Sequence, residues 1–378
     1  MDFEMPLTLI MQNYNAPKDI LIAAIDSVMY QTYKHFNFIF IDDWSTNYNA
    51  NDFFDEWNKL WHDNNMNGEF IAVTCPKSSD DDTMNHNHGH SFCRNFALDI
   101  CKTEYIMFMD SDDELRICSI QLLMKNLENR EDDVDISIGN FTRNEITWNT
   151  IKTYYSGCYQ NDHNVTVYNN INALHALCHP YMFPGYDNCY PSIQLCATWN
   201  KIFRKSLFDD IRFPDFKTKD DNFTAHRLLY KARKIIYTEE ITYYYRPGGQ
   251  LANSNLYKTW DLLDAHKDRL VFFIEIFLDY LSMVSEKEIK KDEFNEYYTI
   301  IKIFYNELLI LMHTAICCIK HTDADISSKN AEVNLLCSLI KEYKTELFLY
   351  NPAFVFSAIC FIDEWRKQLN ENDHNSIQ

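Results

Sequence analysis

The chain has 378 residues, of which 46% are hydrophobic and 24% charged, a balance that is ordinary for a globular protein with room for two subdomains. Its formal net charge of −20 excludes nucleic acid as an expected partner, because the chain repels phosphate backbones and contains no basic patch. A substrate that carries phosphate would need a metal ion, or a few well-placed Arg and Lys side chains, in order to bind.

The cysteines and the apolar segments indicate the cellular compartment of the protein. The 12 cysteines are scattered without C-x-x-C spacing, which is typical of reduced core thiols in a cytosol-like compartment. The N-terminus, Met1–Pro6, has neither a basic region nor a long apolar segment, so no signal peptide is predicted. The longest apolar run, Leu308–Ile319, is broken by His313 and is too short to span a bilayer. We therefore expect a cytoplasmic protein, soluble or peripherally membrane-associated, with no integral membrane segment.

Apolar runs that predict strands alternate with helical patterns through the N-terminal part of the chain. Strands are predicted at Leu7–Met11, Phe36–Ile41, Phe70–Thr74 and Glu104–Met109, and helices at Asp19–Tyr30, Phe54–Trp61 and Ser91–Cys101. Strand–helix–strand units have parallel strands and a right-handed crossover. The pattern therefore predicts an α/β fold with a Rossmann-like, mixed but mainly parallel sheet flanked by helices.

Two of these strands end in acidic clusters. Asp42-Asp43 follow the second strand, and Asp110-Ser111-Asp112-Asp113 follow the fourth. Parallel strands place both clusters at one edge of the sheet, where ligands bind in such folds. Three carboxylates within four residues repel one another unless a cation lies among them, and Mg²⁺ or Mn²⁺ prefers oxygen ligands. The alternative is a solvated acidic turn in which Asp113-Glu114 cap a helix that begins near Leu115.

A polar segment, Lys77–Gly89, separates the third strand from the next helix and contains His86-Asn87-His88 followed by His90. Alternating histidines could ligate a transition metal. A solvated loop near the site is the favoured interpretation, because no carboxylate or Cys partner lies at a suitable spacing.

The second half of the chain continues the pattern and then becomes helical. Helices are predicted at 115–129, Ala173–Leu177 and Phe223–Ala232, and strands at Val134–Gly139, in a hairpin over Ile146–Val167, at Ile235–Tyr237 and at Ile241–Tyr245. From Tyr257 to about Arg366 the pattern is mainly helical. Asp220 or Asp221 is a candidate N-cap for the helix at Phe223, and a carboxylate there could serve as a general base.

Several motifs, taken in order, resemble those of family 2 glycosyltransferases of the GT-A fold over roughly residues 5–250. They are Leu7 to Asn15, Gln31-Thr32-Tyr33, Asp42 to Asn47, Gly89 to Asn95, Asp110 to Asp113 (the D-x-D motif), Trp199-Asn200-Lys201, Ile211 to Pro214, Asp220-Asp221 and Tyr243 to Arg246. Each motif alone is weak evidence, whereas the whole series in sequence order is strong evidence.

The resemblance implies a nucleotide-sugar site at the sheet edge. Asp43 would accept the N3–H of uracil, with Tyr14 and Asn15 lining the base pocket. Arg94 would help to hold the nucleotide, and Arg246 would meet the diphosphate. Either arginine could instead pair with acids of this very acidic chain.

The resemblance also implies the chemistry. Asp112 would ligate a divalent cation, Mn²⁺ or Mg²⁺, while Asp110 would contact the ribose or the metal, with Ser111 beside it in the donor site. Asp221 would be the general base that deprotonates the acceptor hydroxyl. The implied reaction is a single displacement with inversion, from a UDP-sugar by family preference, to a hydroxyl of a glycan, lipid or protein.

Three positions depart from the family pattern. Gln12-Asn13 replace a usual Pro-x, Asp220 replaces Glu, and Trp44 replaces Gly. Because Trp does not readily adopt the positive φ of glycine, we expect the loop at Trp44 to differ in shape.

The resemblance implies a domain division. We expect a glycosyltransferase domain at 1–256, with a nucleotide-binding half at 1–115 and an acceptor half at 116–256, then a helical region at 257–369 and a disordered tail at 370–378. The C-terminal helices could cover the acceptor site, form a homodimer contact or touch a membrane edge.

Two other functions were weighed. A nicotinamide-dependent oxidoreductase needs a glycine-rich turn after the first strand, and Gln12 to Pro17 contain no glycine. A catalytically inactive GT-A-like binding or scaffold module stays open, because Trp44 and the long helical region are atypical.

Overall fold

The computed structural model of the chain describes residues 6–48, 51–76, 87–128, 133–153, 164–178, 191–215, 218–248, 259–285 and 291–375. The chain divides into two compact units, one formed by Met1–Leu177 with Tyr190–Asn253 and the other by Cys178–Cys189 with Ser254–Gln378. The domain boundaries proposed above stay predictions.

The first unit is an α/β unit built on one sheet. Its strands are β1 (Leu7–Asn13), β2 (Phe36–Asp42), β3 (Phe70–Thr74), β4 (Tyr105–Asp110), β5 (Glu114–Leu115), β6 (Val134–Thr142), β7 (Val165–Tyr168), β8 (Lys201–Arg204) and β9 (Lys234–Tyr244). Its helices are α1 (Lys18–Met29), α2 (Asn51–Asp63), α3 (His90–Ile100), α4 (Ser119–Glu128), α5 (Glu145–Ile151), α6 (Asn170–Leu177), α7 (Pro191–Cys196) and α8 (Asp220–Lys231).

The sheet has the strand order β3-β2-β1-β4-β8-β6-β9-β5, with β7 also paired to β9. Strands β1 to β4 pair in parallel, and so do β6 and β9. Strand β8 is antiparallel to both of its neighbours, β4 and β6. The predicted α/β fold, a mixed sheet of mostly parallel strands flanked by helices, is confirmed.

The core lies on both faces of the N-terminal strands. All seven residues of β1 are buried, and its alternate side chains Leu7, Leu9 and Met11 pack with Phe36 and Phe38 of β2. Burial on both faces explains why these strands are continuous apolar runs without polar alternation. Burying one such side chain contributes about 1.5–3 kcal/mol to folding.

The structure differs from the predicted elements at three places in the first unit. The expected hairpin over Ile146–Val167 is wrong at its start, because Glu145–Ile151 form α5 behind an Asn144 cap whose side chain accepts a hydrogen bond from the Thr147 amide (2.9 Å). The two strands predicted at Ile235–Tyr237 and Ile241–Tyr245 are one strand, β9, whose pairing with β6 is interrupted by register shifts.

The third difference concerns the acidic turn. Glu114 and Leu115 form the short strand β5, antiparallel to β9, and the following helix begins only at Ser119. Asp113 is 1% exposed. The alternative of a solvated turn that caps a helix at Leu115 is therefore wrong.

The second unit consists of α9 (Asp261–Ser285), α10 (Lys291–His321), α11 (Ile326–Tyr350) and α12 (Pro352–Asn375). Its apolar core includes Leu263, Leu308, Met312 and Leu336. Helix α12 continues to Asn375, so residues 370–375, which we expected to be disordered, are helical.

One helix of the described residues, Asn295–His321, is long and apolar enough to cross a membrane. Most of its apolar segment is buried inside the protein, and the core helices of soluble proteins are equally long and apolar. The expectation that no segment spans a membrane stays a prediction.

The cysteines are mostly as expected. Nine of those described are free thiols, whereas Cys118 is disulfide-bonded. The expectation of reduced thiols therefore fails for Cys118.

Candidate active site

The two acidic clusters meet at one edge of the sheet. In the parallel register, Asn13 of β1 pairs with Asp42, and Gln12 pairs with Asp110. The carboxyl ends of β2 and β4 therefore flank the end of β1, as the parallel arrangement predicts.

Asp43 is buried at the end of β2 and binds the start of α3. One of its carboxylate oxygens accepts a hydrogen bond from the backbone N–H of Gly89 (2.7 Å), and the other accepts one from the N–H of His88 (3.1 Å). The His88 imidazole also lies 3.3 Å from this carboxylate. Each carboxylate oxygen has a second lone pair, so Asp43 can still accept a hydrogen bond from a ligand.

Asn15 joins the two loops that flank Asp43. It adopts a left-handed conformation with φ of 52°, and its side-chain oxygen accepts a hydrogen bond from the Thr46 amide (2.8 Å). Its backbone N–H donates to the Ser45 hydroxyl (2.9 Å). Tyr14 precedes it and is half-buried. The side chain of Asn15 is thus used to hold the loop after β2.

Trp44 overturns one expectation. Its φ is +63°, so the loop keeps the left-handed conformation that a glycine would adopt there, and the prediction of a different loop shape is wrong. The indole N–H donates a hydrogen bond to the Cys75 carbonyl at the end of β3 (2.9 Å). This bond helps to offset the cost of a left-handed conformation in a bulky residue, about 1–2 kcal/mol.

The second cluster has the donor set of a hard cation. Asp110, Asp112 and Asp113 each offer a carboxylate oxygen, and these atoms lie within 4.8 Å of one another. Burial raises the pKa of Asp113, and the charges of Asp112 and Asp110 raise it further. One carboxylate oxygen of Asp113 is buried and accepts no hydrogen bond from the described residues. Crowded oxygen donors and an unsatisfied buried oxygen fit a divalent ion such as Mg²⁺ or Mn²⁺.

Arg94 connects this cluster to α8. Its guanidinium donates a 2.6 Å hydrogen bond to Asp220 and lies 3.4 Å from Asp110. The side chain is buried and lies over the Phe213 ring, 5.4 Å from the ring centroid. Burial would lower the pKa of Arg94, but Asp220 and Asp110 raise it above its ordinary value. Pairing with acids, the alternative raised from the sequence, is therefore what the structure contains.

Asp220 and Asp221 begin α8 but do not cap it. The N-cap is Lys219, in a left-handed conformation with φ of 88° and without a side-chain cap, so the predicted capping role is wrong. Asp220 is held by Arg94, whereas Asp221 accepts hydrogen bonds from the backbone and side-chain N–H groups of Asn222 (2.9 and 3.0 Å). Burial raises the pKa of Asp221, and the Asp220 carboxylate raises it further. A raised pKa makes Asp221 a better proton acceptor than an ordinary aspartate.

Arg246 lies against the acidic cluster from the end of β9. Its backbone N–H donates to Asp113 (2.9 Å) and its Nε donates to the Asp112 carbonyl (3.0 Å). A terminal nitrogen pairs with Glu114 at 2.5 Å. The Arg246 guanidinium thus lies beside the acidic cluster, and it is already paired with Glu114.

Sequence reasoning missed two residues of the site. Asp113 was counted among the three carboxylates of the motif but was not singled out as a ligand, and its burial was not predicted. Gln12 donates a 2.8 Å hydrogen bond to Asp110 from the end of β1. The only signal for Gln12 was that it stands where the family pattern has Pro.

Comparisons with known proteins agree with this arrangement. A model of glycosyl transferase family 2 matches residues 82–212. Glycosyltransferase GlyG of Streptococcus pneumoniae serotype 4 is 24% identical over 240 residues, which cover 64% of this chain and 70% of GlyG. Glycosyltransferase GlyA of the same organism is 23% identical over 276 residues, which cover 70% of this chain. The chain spans about a third of the length of GlyA, since the match covers 34% of that protein.

The fold has a solved counterpart. The structure of S. aureus TarS residues 1–349 in complex with UDP-GlcNAc superimposes with a TM-score of 0.57 at 13% identity, covering 98% of this chain and 92% of that one. At this identity the likeness concerns the fold. Residues 82–212 are therefore similar to family 2 glycosyltransferases, and the first unit has the GT-A-type fold of TarS.

Proposed function

We propose that the protein is a metal-dependent inverting glycosyltransferase that moves a sugar from a UDP-sugar to a hydroxyl of a glycan, lipid or protein acceptor. The observation that carries the proposal is the Arg94 bridge. One buried guanidinium joins Asp110 of the acidic cluster to Asp220 (3.4 and 2.6 Å), beside the candidate base Asp221. Donor, metal and base functions are therefore proposed at one edge of one sheet.

In the proposed mechanism, the residues at and just after the ends of β1, β2 and β4 bind the nucleotide of the donor. The Asp43 carboxylate accepts the N3–H of uracil, with Tyr14 and Asn15 beside the base. Asp110 and Ser111 contact the ribose. Burial of Asp43 strengthens its hydrogen bond to uracil, because the local dielectric constant is low. TarS was solved with UDP-GlcNAc, which supports a uridine nucleotide here.

The diphosphate end needs positive charge in a chain with a net charge of −20. Asp112, with Asp110 and Asp113 nearby, would hold Mn²⁺ or Mg²⁺. When bound, such an ion would supply Lewis-acid stabilisation of the charge that develops on the leaving diphosphate. Arg246, anchored beside the cluster, adds a second cation, and buried Arg94 keeps Asp110 and Asp220 in position.

The acceptor end depends on Asp221. Its raised pKa suits the removal of a proton from the acceptor hydroxyl. Because one base activates a nucleophile that attacks opposite the leaving diphosphate, the anomeric configuration inverts. The scaffold alternative loses its main support, since Trp44 keeps a glycine-like φ and the proposed acids are all present.

The direct test is the variant Asp221→Asn, assayed by release of UDP from UDP-GlcNAc and UDP-glucose in the presence of Mn²⁺. Loss of a general base is expected to lower the rate by roughly 10²–10⁴-fold, with UDP affinity retained. The exposed variant Asp209→Asn is the matched control and should keep the wild-type rate. Full activity in Asp221→Asn would contradict the assignment of the base.

A further inference from the structure

A second group of metal-ligating side chains lies behind Asp43, separate from the carboxylate cluster. Cys75 follows the end of β3, and Cys93 lies in the first turn of α3. Their Sγ atoms are 3.0 Å apart, and both residues are 1% exposed. One donor atom from each cysteine and one oxygen of Asp43 lie within 4.8 Å of one another.

His88 approaches the same carboxylate from the more exposed side. Its Nδ1 lies 3.3 Å from Asp43, and its side chain is 12% exposed against 4% for Asp43. The ring stacks on Phe92 with centroids 4.4 Å apart, which fixes its orientation. The sequence argument against a metal at these histidines was the lack of a nearby carboxylate or cysteine. The fold supplies the carboxylate, because Asp43 lies beside His88.

From this geometry we propose that Cys75, Cys93 and Asp43 bind a thiophilic divalent cation of the Zn²⁺ type, with the His88 imidazole as the fourth ligand. Two sulfurs, one nitrogen and one carboxylate oxygen form a ligand set that zinc accepts in tetrahedral geometry. Soft thiolates select such ions, whereas the oxygen-only cluster at Asp112 selects Mg²⁺ or Mn²⁺. The two sites therefore differ in the metal that they prefer.

The rearrangement required of the two cysteines is small. Zinc–sulfur bonds of about 2.3 Å at tetrahedral angles place the two sulfurs about 3.8 Å apart. The two sulfurs, now 3.0 Å apart, must therefore move apart by about 0.8 Å. Rotation about χ1 of the two cysteines can produce a movement of this size. Asp43 keeps a lone pair for the ion while its hydrogen bonds to the amides of His88 and Gly89 remain.

The consequence of this site rests on the function proposed above. An ion held by Asp43 withdraws negative charge from the carboxylate that would accept the uracil N–H, and this weakens that hydrogen bond. Occupancy by zinc should therefore weaken UDP binding, while Mn²⁺ at the carboxylate cluster supports it. The site would make donor binding sensitive to thiophilic metals.

The test of the site itself uses Co²⁺ as a spectroscopic substitute for zinc, titrated into the full-length protein under reducing conditions. We expect a sulfur-to-cobalt charge-transfer band that Zn²⁺ removes by competition. The band should disappear in Cys75→Ser and in Cys93→Ser, and should persist in Cys101→Ser, a control for a buried thiol at the end of the same helix, and in Asp112→Asn. No band in the wild type, or a band that survives in the double variant Cys75→Ser/Cys93→Ser, would overturn the proposal.

A second measurement does not depend on the folding of any variant. X-ray absorption of the zinc-loaded wild type should show two sulfur neighbours at about 2.3 Å. A first shell of oxygen and nitrogen alone would overturn the site.

The link to the donor pocket is tested separately. Zinc should weaken UDP binding by roughly tenfold in the presence of Mn²⁺, because the hydrogen bond from uracil to the charged Asp43 carboxylate is weakened. This zinc effect should vanish in the double cysteine variant. If zinc leaves UDP binding unchanged, the proposal that Asp43 accepts a hydrogen bond from uracil is refuted. The cobalt band would still establish the metal site.

Discussion

Arg94 shows how one buried residue organises an acidic site. It is the partner of Asp220 and lies next to Asp110, and its own side chain is 6% exposed. Replacing Arg94 by Met would leave the buried Asp220 and the partly buried Asp110 without their cation. We expect the free energy of unfolding to fall by about 3–5 kcal/mol, measured by urea denaturation.

The matched control for this prediction is Arg212→Met. Arg212 pairs with Asp99 at 3.0 Å, but both side chains are largely exposed, at 45% and 63%. Exposed pairs contribute about 0–1 kcal/mol. Equal losses in the two variants would contradict the role assigned to Arg94.

The proposed role of Asp221 as the general base predicts a pH dependence of transfer. Burial and the charge of Asp220 raise its pKa above the ordinary value of 3.8. A base acts in its deprotonated form, so the rate should fall as the pH falls through this raised pKa, earlier than for an ordinary aspartate. In Asp220→Asn the neighbouring negative charge is removed, and the acidic limb of the rate profile should move to lower pH. A limb that does not move, or that moves to higher pH, would contradict the assignment.

At the level of single residues, sequence reasoning predicted where the acids lie in the fold better than it predicted how they are held. The motifs predicted Asp43, Asp110 and Asp112 at one edge, and the structure brings them there. They did not predict the positive φ of Trp44, because a distant carbonyl, that of Cys75, compensates for the local cost. Compensation of this kind depends on tertiary contacts, which a local pattern does not contain.

At the level of elements, the pairing of α9 and α10 depends on a buried charge. Glu307 of α10 is fully buried, with the His266 Nδ1 at 2.7 Å and the Arg269 guanidinium at 3.6 Å. Burial alone would raise the pKa of Glu307, but Arg269 and His266 hold it below its ordinary value of 4.5. The negative charge on Glu307 is therefore part of the folded state of the second unit.

This network makes a prediction about acid stability. Because the pKa of Glu307 is depressed by folding, its contribution is present above the unfolded value of 4.5 and is lost as the pH falls through the folded pKa. Glu307→Gln should lower the free energy of unfolding at neutral pH by about 3–5 kcal/mol. It should also remove this part of the acid dependence. Urea denaturation followed by circular dichroism at several pH values measures both, and an unchanged acid dependence in the variant would refute the prediction.

The elements that sequence reasoning missed are those defined by contacts rather than by pattern. Strand β5 has only two residues and exists because it pairs with β9. The segment at Glu145–Ile151 has the β-branched and aromatic content of a strand, yet the Asn144 cap and the burial of Trp148 make it a helix. By contrast, the long apolar runs of β1, β2 and β4 were predicted because burial on both faces leaves a strong signal.

At the level of the whole molecule, the sequence predicted the fold class but could not predict the strand order. Strand β8 lies between β4 and β6, far from either in sequence, and it is antiparallel to both. This insertion brings the segment before α8, and with it Asp220 and Asp221, towards the edge formed by the N-terminal strands. The resemblance to the family nevertheless predicted that Asp220 and Asp221 lie near the N-terminal acids. Its motifs come from proteins in which the same strand order brings these positions together.

The central claim is that this acidic edge binds a nucleotide through a divalent ion, and calorimetric titration tests it most directly. The full chain would be titrated with UDP, GDP and CDP, with and without Mn²⁺, beside Asp112→Ala and the exposed control Asp209→Ala. We predict that UDP binds only when Mn²⁺ is present, that Asp112→Ala abolishes this binding and that Asp209→Ala retains it. A well-folded protein that binds none of the three nucleotides under any of these conditions would contradict the glycosyltransferase mechanism proposed for this site.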